Sequence, residues 1–437
     1  MEEKRNNLQK LMSILKNNNV FLTGGGGVGK SYLCNEVIKE YRSNKRQVVV
    51  LGSTGISAVH VGGQTLHSFF AFGIANDEEQ MQINDKKIGR KLRELNTILS
   101  SCDLIVIDEI SMVSSNLLDM IRYRLQNGNF KGRLLFVGDF FQLPPVNKNT
   151  QNTIFGNSLY AFESLAWEYF EPKIVVLDKP KRTSDKEFFS ILNGIRIGKL
   201  DASVIDYLES LRENYEVWDD NPTILFGRNR EVNILNSKKL SQIQSELIVF
   251  PALEVVHEKN LHIKRLESWK KALGVDENLE LKVGANVLFT ANKKGSYYNG
   301  ERGVIVGIDD DSIDVQKDNL KIVNVKRHEY CLNELVSLED KIQDLNLASI
   351  EQFPLKLSYA ITIHKSQGMS LEKMVCNIDN IFEKSQFYVA LSRAIDPNSL
   401  FLYYSRNDFL DQIKRSVEVD ERVEQFYQKS DCIYIER

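Results

Sequence analysis

The sequence predicts an α/β fold made of two α/β layers, with a smaller antiparallel β unit inserted in the second. Three observations carry this. Short, near-continuous apolar runs recur between helix-spaced segments: Val20–Leu22, Gln47–Leu51, Leu104–Ile107, Leu134–Val137 and Ile174–Leu177. Such runs read as strands of a parallel sheet buried on both faces. The pattern restarts with Thr223–Phe226, Leu357–Ile363, Met374–Asn377 and Leu400–Tyr403. Between the halves, Leu281–Ile308 and Asp311–Val325 alternate apolar and polar residues, with Asn299-Gly300 as a hairpin signal.

A chain of 437 residues is long enough for two to four domains with ample burial. No apolar run approaches a membrane span, and Met1–Arg5 precede no signal-peptide core. The five cysteines (Cys34, Cys102, Cys331, Cys376, Cys432) are scattered without a C-x-x-C pair, which argues against a disulfide framework or a zinc site. The cytoplasm is the expected compartment. A formal charge of −3 gives no general support to a nucleic-acid partner. A motor that grips a few nucleotides needs only a local positive groove.

In chain order, Leu8, Leu11, Met12, Ile14 and Leu15 mark an amphipathic helix that Asn17-Asn18-Asn19 ends. The strand Val20–Leu22 then leads through Gly24-Gly25-Gly26-Gly27-Val28-Gly29 into a helix starting near Lys30. Gly24, Gly29, Lys30 and Ser31 fit the G-x-x-x-x-G-K-[ST] spacing of a phosphate-binding loop. Glycines let the backbone N–H groups converge on phosphate oxygens, and the helix N-terminus adds partial positive charge. Lys30 would reach the β- and γ-phosphates and Ser31 would ligate Mg²⁺. The alternative is a flexible glycine turn.

Leu104–Ile107 runs into Asp108-Glu109, where one carboxylate would hold the metal and the other orient and deprotonate the attacking water. The alternative is a pair of acids capping the helix near Ser114. Leu134–Val137 runs into Gly138-Asp139-Phe140-Phe141-Gln142-Leu143-Pro144-Pro145, which sets Asp139 and Gln142 where a γ-phosphate sensor would sit. Phe72–Lys91 reads as a small insertion, either a surface elaboration or a substrate contact. The second layer has no phosphate loop but offers Arg182 and Arg393, and an arginine placed across a cleft stabilises transition-state charge.

Taken together, these segments resemble those of a DNA helicase of superfamily one, in the Pif-type (petite integration frequency) group related to the RecD and Dda helicases. The resemblance rests on GGGGVGKS (Gly24–Ser31), STGISAVHVGGQTLHSFF (Ser53–Phe70), IDEISMV (Ile107–Val113), GDFFQLPPV (Gly138–Val146), AITIHKSQGMS (Ala360–Ser370) and YVALSRA (Tyr388–Ala394). It implies two RecA-like motor domains, 1–178 and 179–240 with 354–437. It also implies a wedge insertion at about 70–95 and an SH3-like β insertion at 241–353. The activity implied is ATP-dependent 5′-to-3′ translocation on single-stranded DNA with duplex unwinding; G-quadruplexes and RNA–DNA hybrids are further substrates it allows. Catalysis falls to Lys30, Asp108, Glu109, Gln142, Arg182 and Arg393. ATP contacts fall to Gln9, Gly25, Gly26, Gly27, Val28, Gly29, Lys30, Ser31, Tyr32 and Gly368, and Mg²⁺ to Ser31 and Asp108. DNA contacts fall to Thr54, Gly55, Thr65, His67, Ser68, Phe69 and Pro145 on the first motor domain, and to Asn229, Thr362, His364 and Lys365 on the second. Phe69 or Phe72 would stack on bases. The expected partner is single-stranded DNA and its junctions with duplex, engaged by a monomer.

The chain departs from the family pattern at Thr183, where a glutamine usually follows the arginine, and Gln9 lies closer to the loop than the family's adenine-reading glutamine. Without long extensions it resembles a bare helicase core. A motor subunit of a RecD-like nuclease complex, a small-molecule kinase and an inactive nucleic-acid scaffold are the other readings. The kinase leaves the second layer and its arginines unexplained, and the scaffold leaves Lys30, Glu109 and Arg393 unexplained.

Overall fold

The computed structural model describes residues 2–53, 64–73, 75–145, 159–212, 222–259, 261–338 and 341–435. Its first sheet has seven strands in the order Cys432–Tyr434, Lys173–Val176, Val20–Thr23, Arg133–Val137, Leu104–Asp108, Val48–Gly52 and Gln64–Thr65. All neighbours pair in parallel. The apolar runs explain this directly. Successive side chains point to opposite faces, so each strand feeds two cores. Phe21, Val49, Ile105, Ile107 and Phe136 join a core under the helices Gly89–Ser101, Ser115–Asn127 and Leu165–Phe170. Val20, Leu22, Val50, Val106 and Leu135 join the other, under Glu2–Leu15 and Lys30–Ser43.

The second sheet has four parallel strands in the order Ala360–Thr362, Thr223–Phe226, Met374–Asn377 and Leu400–Tyr403. The helices Lys186–Arg196, Gln386–Leu391 and Phe409–Ser416 cover one face, and Asn229–Ser241 the other.

The expectation that 354–437 lies wholly in the second layer is corrected at its end. The helix Glu421–Lys429 and the strand Cys432–Tyr434 return to the first unit. Phe426 drives the return: it stacks on Phe162 at 4.4 Å and meets Phe140 and Trp167 edge-on.

The inserted β unit is a five-stranded antiparallel sheet in the order Ile322–Val325, Ile313–Lys317, Arg302–Ile308, Asn286–Phe289 and Leu355–Leu357. Its last strand lies beyond the expected boundary at 353. A further arm was not anticipated: His328–Leu338 and Lys341–Gln352 pair antiparallel, with Leu253–Val256 at the edge. The arm reaches the first unit. Gln64 Nε2 donates to Asn333 O at 2.8 Å, Glu334 pairs with Lys91 at 3.2 Å, and Leu335 and Ile342 pack on the first core.

The segment read as an insertion is part of the first core rather than a surface elaboration. Phe72 and Met81 are buried there, and Arg124 anchors it with two 2.6 Å hydrogen bonds to Asp85 and one to Phe70 O. Among the described residues, no helix is long and apolar enough to cross a membrane.

Candidate nucleotide site between the two units

The strand Val20–Thr23 delivers the chain into the glycine loop. A Cβ on Gly24 would meet Leu177 O at 2.2 Å, and Gly27 and Gly29 have φ of 78° and 96°, so side chains are excluded at these positions. Lys30 begins the helix and folds back, donating to Gly24 O at 2.7 Å and Gly25 O at 2.9 Å. Burial lowers its pKa, and the charges of Asp139 and Glu109 work against that shift.

The strand Leu104–Asp108, one strand beyond Arg133–Val137 in the sheet, brings the two acids. Glu109 sits at φ 53°, a left-handed conformation that costs a non-glycine residue energy, and its N–H donates to Asp108 Oδ1 at 3.0 Å. Burial first, then the charge of Glu109, pushes the Asp108 carboxyl up to about 7. Glu109 is raised by burial, while Lys30 and Arg393 act in the opposite sense. Two such carboxyls offer hard oxygens of the kind that suit a divalent cation, and Ser31 is exposed in the first turn of the Lys30 helix. Gln142 is buried on the next strand's loop, its N–H donating to Asp139 O at 2.9 Å.

The second unit closes over this loop. The N–H groups of Lys181 and Arg182 donate to Gly27 O at 2.9 and 3.0 Å. The Arg182 guanidinium is held by Ser370 Oγ at 2.9 Å and by Ser392 O. Arg393 donates to Val389 O and Ser392 Oγ, both at 2.9 Å, and its charge bears on Lys30, Glu109 and Arg182. Burial lowers the pKa of both arginines; the like charge of Arg393 lowers Arg182 further. Three cations drawn from two units thus converge, partly stripped of water, on one glycine loop. A polyphosphate is the ligand that this charge balance suits. Gly368, at φ 76°, lies on the loop that carries Ser370. Tyr32 and Gln9 are exposed on their helices.

Two residues were missed. Tyr388 OH accepts the Gly26 N–H at 2.6 Å, directly at the cradle. Arg196 pairs with Asp139 at 2.8 Å, which spends that carboxylate on the second unit rather than on sensing phosphate. Tyr388 opens the YVALSRA stretch, but Arg196 lay in a segment legible only as helix.

The described candidate DNA residues follow the carboxyl ends of parallel strands in both sheets, the edge where open α/β sheets take ligands. Thr54 and Gly55 lie outside the described residues. Thr65 caps the short helix Leu66–Phe69 by accepting from Ser68 N at 3.2 Å, and Ser68 Oγ accepts from Arg265 of the inserted unit at 3.4 Å. His67 is exposed and Pro145 is buried. Phe69 and Phe72 are corrected: both rings are buried in the first core and offer no face to a base. On the second unit, Asn229 and Lys365 are exposed, Thr362 Oγ1 accepts from Lys365 N at 3.3 Å, and His364 Nε2 lies 3.2 Å from Glu383.

Comparison with known proteins agrees with this geometry. The family profile for PIF1-like helicases matches residues 2–204, and one described as a helicase matches 315–421. The ATP-dependent DNA helicase Pif1 of Campylobacter jejuni is 44% identical across 98% of this chain and 98% of its own. The chain belongs to the PIF1-like helicase family. Within that family, the Pif1 of Bdellovibrio bacteriovorus is 33% identical over 94% of this chain and 88% of its own. The crystal structure of Bacteroides sp Pif1 in complex with ADP-AlF4 superposes with a TM-score of 0.83 at 28% identity, covering 97% of this chain and 96% of that one. Bacteroides Pif1 bound to ssDNA gives 0.65 at the same identity and coverage. The expected class, two RecA-like domains in an α/β fold, is therefore borne out for this PIF1-like helicase.

Proposed function

We propose that this chain is an ATP-hydrolysing DNA helicase that moves 5′-to-3′ on single-stranded DNA and opens duplexes at single-strand/double-strand junctions. The observation that carries the reading is that a unit without a phosphate loop sets Arg182 against Gly27 of the other unit's loop and brings the charge of Arg393 to bear on Lys30 and Glu109. ATP bound at Gly24–Ser31 gives Lys30, Arg182 and Arg393 the anion their buried charges favour. Binding then stabilises the closed cleft, and loss of the γ-phosphate releases it. Lys30 holds the β- and γ-phosphates, Glu109 orients the attacking water and accepts its proton, and Gln142 reads the γ-phosphate. Ser31 and Asp108 would hold Mg²⁺, which when bound neutralises phosphate charge.

DNA follows the strand ends of both units, past Thr65, His67 and Ser68 and then Asn229, Thr362, His364 and Lys365. A base-pair step costs about 1.4 kcal/mol of stacking, so one ATP per nucleotide suffices for opening. The working form is a monomer in the cytoplasm. Strand separation of 5′-tailed and 3′-tailed duplexes, with and without ATP and Mg²⁺, tests the proposal. Unwinding of the 5′-tailed substrate alone, and only with both, is expected; ATP-independent or 3′-tail-dependent opening would reject it.

A further inference from the structure

Arg196 ends the helix Lys186–Arg196, whose Phe188, Ile191, Leu192 and Ile195 are buried in the second unit's core. Its guanidinium leaves that unit. Nε donates to Asp139 Oδ2 and Nη2 to Asp139 Oδ1, both at 2.8 Å, in a bidentate fork. Asp139 is fully buried and the Arg196 side chain is only 15% exposed. The guanidinium lies 4.5 Å from the centre of the Phe141 ring, which stacks on Tyr427 of the C-terminal helix at 4.9 Å.

The loop held in this way carries Gln142. Asp139 Oδ1 also accepts from Phe141 N at 3.2 Å, and Asp139 O accepts from Gln142 N at 2.9 Å. One residue beyond Gln142, Leu143 is buried in the second core rather than the first. The loop leaves the first sheet at Val137, yet it is fastened to the second unit on both sides of Gln142.

We propose that Arg196 is a positioning residue that fixes the Gln142 loop to the second α/β unit, so that Gln142 follows that unit as the cleft changes. This rests on the ATPase reading above. A buried ion pair is weak evidence of stabilisation, because desolvation offsets much of the attraction, and setting register is its best-attested use. Arginine suits the task because the planar fork defines orientation as well as distance, which a lysine ammonium does not. The two hydrogen bonds to Asp139 occupy the fork, so Arg196 differs in role from Arg182 and Arg393.

The test compares R196K, R196Q, D139N and the double variant D139N/R196Q with the unaltered chain. The readouts are single-stranded-DNA-stimulated kcat and KM for ATP, base pairs opened per ATP, and Tm. Misplacing a catalytic group by about 1 Å costs on the order of 100-fold in rate, so R196K, which keeps the charge and loses the fork, should lower kcat roughly ten- to 100-fold. KM should stay within about twofold, and fewer base pairs should open per ATP. If the pair acts as one unit, the double variant is no worse than the worse single. Unchanged kcat and coupling in folded R196K, or effects of Arg196 and Asp139 that simply add, would overturn the proposal. A lowered Tm with unaltered kcat per folded molecule would also overturn it, by reducing Arg196 to a structural role. If R196Q fails to fold, R196K alone decides. Lys30-dependent ATP hydrolysis by the unaltered chain is the separate check: its absence would reject the ATPase reading, not the assignment of Arg196.

Discussion

The first α/β unit ends Val20–Thr23 in a glycine cradle, its central strand Arg133–Val137 in the Gln142 loop and the strand beyond that in Asp108-Glu109, whereas the second has no such loop and lends arginines to its neighbour. Their sheets are alike in being parallel and covered by helices on both faces. They differ in the charge placed at the strand ends. The first unit holds the glycine cradle with Lys30 and two acids that repel one another. The second holds Arg182 and Arg393, whose guanidinium groups are held by hydroxyl and carbonyl oxygens. On the reading proposed above, this division would let one fuel molecule govern two domains, by adding an attraction between them that hydrolysis removes.

The sharpest way to break this comparison is to remove the contribution of the second unit. Arg393→Ala should lower kcat for ATP by about 10³–10⁵-fold, while a fluorescent nucleotide still binds the first unit. A loss below tenfold in steady-state phosphate release would mean that the units do not share the site.

A smaller effect separates the crowded loop from an open turn with the same backbone. Gly27 and Gly295 both have φ 78°, but a Cβ on Gly27 would meet Arg182 Cβ at 2.6 Å and one on Gly295 meets nothing within 4 Å. Gly295→Ala should cost only local strain, about 1 kcal/mol, visible in Tm alone. Gly27→Ala should in addition weaken nucleotide binding roughly tenfold, about 1.4 kcal/mol, as measured by titration. Equal effects at both sites would remove Arg182 from the loop.

The smallest effect concerns the arm that bridges the units. Burial alone would raise the Glu334 pKa, but Lys91 and then Arg265 outweigh it, and the carboxyl lies below its ordinary value of 4.5. The folded state therefore releases this proton more readily than the unfolded chain. Its contribution to stability is present above 4.5 and is lost as pH falls below that value. Thermal melts taken downward from neutral pH should show this loss, and Glu334→Gln should flatten it. An unaltered pH profile in the variant would mean that the arm is held by packing of Leu335 and Ile342 alone.

Much of this molecule is written in short stretches. The glycine spacing before Lys30, the apolar runs that alternate between two cores, and Asp108-Glu109 at a strand end are local patterns, and local sterics and periodicity dictate their structure. Phe69 and Phe72 were misread because an aromatic beside polar loop residues has the same local pattern whether it faces a base or a core. Only packing against Phe70 and the neighbouring helices distinguishes the two. The arm at 328–352 left little trace for a related reason, since its apolar residues break strict alternation and its strands find their partner in each other.

What the tertiary structure alone decided is which distant groups meet. Tyr388 and Gly26 are 362 positions apart, and Tyr427 and Thr23 are 404 apart. The fork from Arg196 to Asp139 joins two helix and strand ends with no shared motif. The return of Glu421–Lys429 to the first unit belongs to the same class. A backbone conformation is chosen by near neighbours and can be read from them. A buried charge pair or an aromatic stack is chosen by which surfaces the whole chain brings together, and no stretch of residues contains that information.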